Sequence, residues 1–173
     1  MVRTLELPDA IAWTPELLGR LSPEFRYEVR EGNLVVMSAA MRPWYAETRR
    51  RLCNLLVRQG RHAFIEQGVV LDDDEIRTCD VGVFAEPPRG DIAYHKAGEF
   101  TLLVEIVSAT SRREDRELKP RPSAAAGVPG YWWVEEDLDG EPVVYQHRLV
   151  RPADAPWTYA ETRVVTLTAL EES

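Results

Sequence analysis

Apolar and polar residues alternate through Phe25-Arg-Tyr-Glu-Val-Arg-Glu-Gly-Asn-Leu-Val-Val-Met37. That period of two, broken at Gly32-Asn33, predicts a β-hairpin. Upstream, Thr14 followed by Pro15 reads as the cap and first turn of a short helix reaching Leu21. From Trp44 to Gly60 the period changes to that of a helix. Tyr45, Thr48, Leu52, Leu55 and Leu56 fall on one face, and Glu47, Arg51, Asn54, Arg58 and Arg61 on the other. Ala63–Leu71 and Cys79–Ala85 read as strands on either side of the acidic turn Asp72–Glu75, and Pro87-Pro-Arg-Gly90 opens a loop. Thr101-Leu-Leu-Val-Glu-Ile-Val107 is an apolar run of strand length, the pattern of a buried central strand. Ser111-Arg-Arg-Glu114 has the capping-box spacing and starts a helix that ends at Gly127. Pro120 and Pro122 must kink or split it. Tyr131–Val134 and Val143–Gln146, paired across Asp139-Gly140, and Thr158–Leu167 supply the last strands.

The middle of the chain therefore runs helix, three strands, helix, strand, with a hairpin before it and extra strands after it. A meander that gains a crossover helix is an α/β (α+β) arrangement with a mixed sheet. A length of 173 residues, without repeats or a Gly/Ser linker, fits one domain over residues 1–173. No apolar stretch is long enough to span a bilayer, and the first residues lack a signal-peptide core, so a cytoplasmic protein is expected. Cys53 and Cys79 have no disulfide or CxxC pattern, and His62, His95 and His147 have no zinc-ligand spacing. The absence of a Gly-rich phosphate loop argues against a nucleotide cofactor, and Ser108 lacks the context of a serine hydrolase.

Net charge is −8, which disfavours tight nonspecific binding to nucleic acid. Its distribution changes that picture. Arg42–His62 holds six arginines and one acid, whereas Glu66–Asp91 holds eight acids and two arginines. Such segregation suits a carboxylate-rich site beside a phosphate-facing surface, and equally a solvated surface.

Candidate chemistry lies in the carboxylates. Glu105 interrupts an aliphatic strand, where an ionised group needs a partner or a metal. Asp80 opens the apolar run Val81–Phe84, and Glu28 sits inside the first hairpin strand. Asp115 and Lys119 are spaced i,i+4 on a helix, and Lys119 is one of only two lysines in the chain. Each residue has a structural alternative. Glu105 could pair with Arg112 or Arg113, Asp115 and Lys119 could form an exposed ion pair, and Glu28 could be an ordinary glutamate on a hairpin's polar face.

In order and spacing, these segments resemble the PD-(D/E)xK, restriction-endonuclease-like superfamily, and within it the bacterial Uma-type family. The carriers are Tyr-Glu-Val-Arg-Glu-Gly-Asn-Leu (27–34), Arg-Thr-Cys-Asp-Val (77–81), Leu-Val-Glu-Ile-Val-Ser (103–108), Ser-Arg-Arg-Glu-Asp-Arg-Glu-Leu-Lys (111–119) and Ala-Gly-Val-Pro-Gly-Tyr-Trp-Trp-Val (126–134). The resemblance covers about residues 12–168. It implies a restriction-endonuclease-like core, a Mg²⁺ or Mn²⁺ ion, and hydrolysis of phosphodiesters in DNA. It makes Asp80 and Glu105 metal ligands, the Ile106 carbonyl a further one, Glu28 a supporting carboxylate and Lys119 the catalytic cation. Ser108 and Asp115 take supporting places.

The chain departs from the superfamily pattern at Val107, where the lysine usually stands, and Lys119 resembles the relocated lysine of the Uma-type family. Tyr45 replaces a common histidine, and the prolines after Lys119 replace a common tyrosine. Arg112, Arg113 and Arg116 near the site, and Arg51 and Arg58 on the earlier helix, are the expected contacts to phosphates. Two cuts in a duplex would suit a homodimer. The competing expectation is a catalytically degenerate member that only binds nucleic acid or protein.

Overall fold

The computed structural model describes residues 7–8, 12–38, 42–107 and 114–173. A short helix α1 (Pro15–Leu18) is capped as the sequence predicts, with the Thr14 hydroxyl accepting from the Leu17 N–H. Strands β1 (Phe25–Arg30) and β2 (Asn33–Ser38) form the expected hairpin. Its turn is Glu31-Gly32, one residue earlier than the sequence suggests. Both residues have positive φ, 48° and 77°, as a two-residue hairpin turn of this hand demands.

Helix α2 (Pro43–Arg58) buries Thr48, Leu52, Leu55 and Leu56, four residues of the predicted face. Strands β3 (His62–Asp72) and β4 (Glu75–Phe84) pair antiparallel around the acidic turn. β4 starts four residues before the predicted Cys79, because Glu75 and Arg77 pair with each other and extend a polar end of the strand. A three-residue strand β5 (Tyr94–Lys96), too short to leave a periodic signal, lies parallel to β3. β6 (Phe100–Ile106) is the predicted central strand, antiparallel to β4 and parallel to β7 (Gly130–Glu136). Between them the crossover is split as the prolines require, into a π-helical turn over Glu114–Leu118 and helix α3 (Pro120–Ala125). The predicted capping box at Ser111 lies outside the described residues. β8 (Pro142–Val150) and β9 (Thr158–Thr166) complete the sheet, and helix α4 (Leu167–Glu171), absent from the sequence expectation, follows at once. Its cap is Thr166, whose hydroxyl accepts from the Ala169 N–H.

The nine strands form one mixed sheet in the order β2-β1-β4-β6-β7-β8-β9, with β3 also on β4 and β5 on β3. Leu102, Val104 and Ile106 of β6 pack with Leu52, Leu55 and Leu56 of α2 and with Leu167 and Leu170 of α4. The alternate residue Leu103 turns to a second cluster with Phe84, Phe100, Val128 and Tyr131.

One detail of topology positions the site. β3 pairs with β4 along almost its whole length, so β1 and β6 must share the other edge of β4. β1 meets it at Ile76 and β6 only from Val81 onward. Residues 77–80 of β4 thus lie in a fork between two strands.

Candidate active site

A fork leaves backbone N–H groups without a ladder partner, and buried N–H groups must find one. Two carboxylates fill the role. Glu28, completely buried, reaches across from β1, and its Oε1 accepts from the Thr78 N–H at 3.0 Å and the Thr78 hydroxyl at 2.9 Å. Asp80, 3% exposed, accepts from the Ile106 N–H at 2.7 Å through Oδ2, and so lies against the residue that follows Glu105. Its Oδ1 accepts from the Tyr45 hydroxyl of α2, with the Arg26 guanidinium at 3.7 Å.

On the same side of β6 as Leu103, Glu105 projects into the protein and meets Lys119, whose Nζ donates to Oε2 at 2.9 Å. Asp115 lies 3.3 Å from that ammonium and Glu28 4.0 Å. Lys119 sits where the π-helical turn ends and Pro120 begins α3, so the break caused by the prolines is the place from which the cation reaches the site. Asp115 is fixed by the same turn, and its carbonyl accepts from the Tyr131 hydroxyl.

Electrostatics follow from burial and from the ratio of acids to cations. Burial opposes the charge of Lys119, yet Glu105, Glu28, Asp115 and Asp80 together hold its ammonium well above the usual lysine range. Burial, reinforced by repulsion from Asp80 and Asp115, pushes the Glu105 carboxyl well above the usual carboxylate range against the pull of Lys119. Glu28 moves the other way. Burial penalises its charge, but Lys119, the Thr78 N–H and Arg30 outweigh that and hold it low. The centre therefore carries more acid than Lys119 can neutralise.

Several sequence expectations change here. Glu28 is fully buried, because the fork covers the face of β1 that a free hairpin would expose. Asp115 and Lys119, 3% and 9% exposed, form a buried network and not a surface pair. The partner of Glu105 is Lys119, while Arg112 and Arg113, like Ser108, lie outside the described residues. The prolines do not displace Lys119 from Glu105. Arg116 is engaged by Glu135, and Arg51 by Glu171 and Thr168 of α4. Arg58 is exposed near the end of α2, about 20 Å along the helix from Tyr45 at 1.5 Å per residue.

Sequence reasoning did not single out Arg26, Arg49 or Glu66. Arg26 shares with Glu28 the alternating face of β1, and Arg49 follows Tyr45 by one helical turn, so both spacings carried a signal.

The sequence matches the Uma2 family, described as "Putative restriction endonuclease", over residues 14–171. The chain belongs to that family. Glu28, Asp80, Glu105 and Lys119 all fall within the matched span. Among solved structures it is similar to a protein from Anabaena variabilis described as a putative nuclease belonging to DUF820. The TM-score is 0.53 at 15% identity, covering 84% of this chain and 89% of that one. That likeness establishes the nuclease-like mixed α/β fold. No curated protein matches the chain. Among the described residues no helix is long and apolar enough to cross a membrane.

Proposed function

We propose that this Uma2 member is a divalent-metal-dependent endonuclease hydrolysing phosphodiester bonds in DNA, with its centre at the fork of β1, β4 and β6. The carrying observation is the convergence of Asp80 and Glu105 from neighbouring strands on one buried place, with Lys119 donating to Glu105 from a third element.

The donor set fits a hard cation. Mg²⁺ commonly takes one or two carboxylates and completes its shell with water and substrate phosphate. Asp80 and Glu105 supply two carboxylates, and burial of Glu105 beside Asp80 and Asp115 opposes its charge unless a cation shares it. Among the described residues no group of three His, Cys, Asp or Glu side chains stands ready to hold a metal, so water and phosphate must supply the other ligands. Asp80 and Glu105, with the Ile106 carbonyl, would hold the ion. When bound, it would polarise the phosphoryl oxygen and acidify a water.

The chain's own residues do the rest. The Ile106 N–H and the Tyr45 hydroxyl fix both oxygens of Asp80. Lys119 stays protonated among its four acids and offers an ammonium to negative charge developing on the phosphate. Asp115 and Glu28 hold that ammonium from two further sides.

A second reading has its own observation: Asp80, Glu105 and Lys119 already satisfy one another and the backbone, as a purely structural polar network would. Nicking of supercoiled plasmid separates the two. Wild type should nick with Mn²⁺ or Mg²⁺ and not with EDTA. Glu105→Gln should lose about 1000-fold in rate, equivalent to about 4 kcal/mol of transition-state stabilisation. Equal, metal-independent nicking by both would sink the endonuclease reading.

A further inference from the structure

At the open end of the fork lies a charge cluster that the proposed chemistry leaves unused. Glu66, midway along β3, has φ of 55°, the left-handed region that a non-glycine residue enters at a cost. Gln67 and Ile65 on either side keep regular pairing with Cys79 and Val81 of β4, so no slip of register explains it. The backbone distortion directs the Glu66 side chain to two arginines from two other elements. A single oxygen, Oε1, accepts from both Arg26 of β1 and Arg49 of α2.

Three further features show what this arrangement can take. Two guanidiniums share the single Glu66 carboxylate, so neither has that anion to itself. Arg26 also extends to within 3.7 Å of Asp80, so the shared arginine lies against a proposed metal ligand. Among the described residues, the buried Arg26 Nε has no hydrogen-bond partner, so its donor set is not exhausted. Finally, the two arginines are the sheltered members, with side chains 21% and 12% exposed, while Glu66 is 40% exposed. The anion is the replaceable component. A cleft of about 170 Å³, lined by Arg26, Tyr27, Glu66, Gly68, Thr78 and Tyr94, opens beside it and runs to the Thr78 that holds Glu28.

We propose that Arg26 and Arg49 form the clamp for a backbone phosphate of the nucleic-acid substrate, and that Glu66 occupies their donors until the phosphate displaces it. The inference rests on the endonuclease reading. Guanidinium forks match a phosphate through paired N–H donors, and a phosphodiester seated there lies beside Asp80. Glu66 keeps two like charges together in the free protein and makes binding an exchange of one anion for another.

The test is fluorescence anisotropy of a labelled short DNA duplex in EDTA, so that binding is read without cleavage. Wild type, Arg49→Ala, Arg26→Ala and Glu66→Gln are compared across salt concentrations, each checked for a native melting transition. Arg49→Ala should weaken binding about tenfold and lower the slope of log Kd against log salt by about one unit. Glu66→Gln keeps both arginines and removes the competing charge, so it should tighten binding about threefold or more, the reverse of what loss of a structural ion pair would give. Native folding with unchanged affinity and slope in Arg49→Ala, or weaker binding by Glu66→Gln, overturns the clamp while leaving the endonuclease reading standing. No duplex binding by wild type at low salt, either in EDTA or with Ca²⁺ in its place, overturns that reading and the clamp with it.

Discussion

Lys119 and the acids around it show how one position can be chemically demanding and structurally costly at once. Removing the cation would leave Glu105 and Asp115 buried without their shared ammonium, and breaking buried pairs costs about 3–5 kcal/mol. Lys119→Met should therefore lower the unfolding free energy read from urea melts by that order as well as abolish nicking. Glu28→Ala should cost about 3 kcal/mol in the same assay, since Thr78 loses its acceptor inside the fork. The two glutamates have opposite pH signatures. Glu28 is held below the usual carboxylate range, so its contribution to stability is complete above that range and disappears as the pH falls through it. Glu105 is held above its ordinary value, so its contribution is present in acid and is lost as the pH rises. The stability of Glu105→Gln relative to wild type should accordingly improve with rising pH, read from urea melts at acid and alkaline pH. A steady or falling difference would mean that burial does not raise the Glu105 carboxyl in the folded protein.

Among the elements, β4 and its neighbours decide where the proposed site lies. Alternation and length were enough to read the longer strands, each a run of apolar positions between breaker residues, but not the three-residue β5 or the polar start of β4. The fork was not legible, because it depends on two strands sharing one edge of a third, and no local pattern records that. Glu28 was misjudged for this reason: alternation gave its face correctly, but not what covers the face. The prolines were read correctly as a break, while the side chain that the break delivers to Glu105 emerged only from the packed structure. Gly68 illustrates the tolerance of this region. A Cβ there would lie 2.3 Å from Tyr94 Cδ1 and 2.7 Å from the Ala93 carbonyl oxygen, a backbone atom that also accepts from the Gly68 N–H. Gly68→Ala should push β5 off β3 and cost about 2 kcal/mol in urea unfolding.

At the scale of the whole molecule, acidic net charge is compatible with the proposed DNA substrate because the charge is segregated. The basic stretch around α2 contributes Arg49 beside the fork, yet much of its remaining charge is paired, Arg51 with α4 and Arg50 with Glu47. Basic residues counted along the sequence thus overstate the cationic surface. The central claim is that Asp80 and Glu105 together form a cation site built to receive DNA. Calorimetric titration of Mn²⁺ into wild type, Asp80→Asn and Glu105→Gln, alone and with a non-cleavable duplex, addresses it without requiring the right cleavage sequence. The account predicts saturable binding by wild type, of micromolar to millimolar strength on the scale of about −8 to −4 kcal/mol, strengthened by the duplex and abolished in both variants. Equal heats from all three proteins, or none from wild type even with the duplex present, would contradict it.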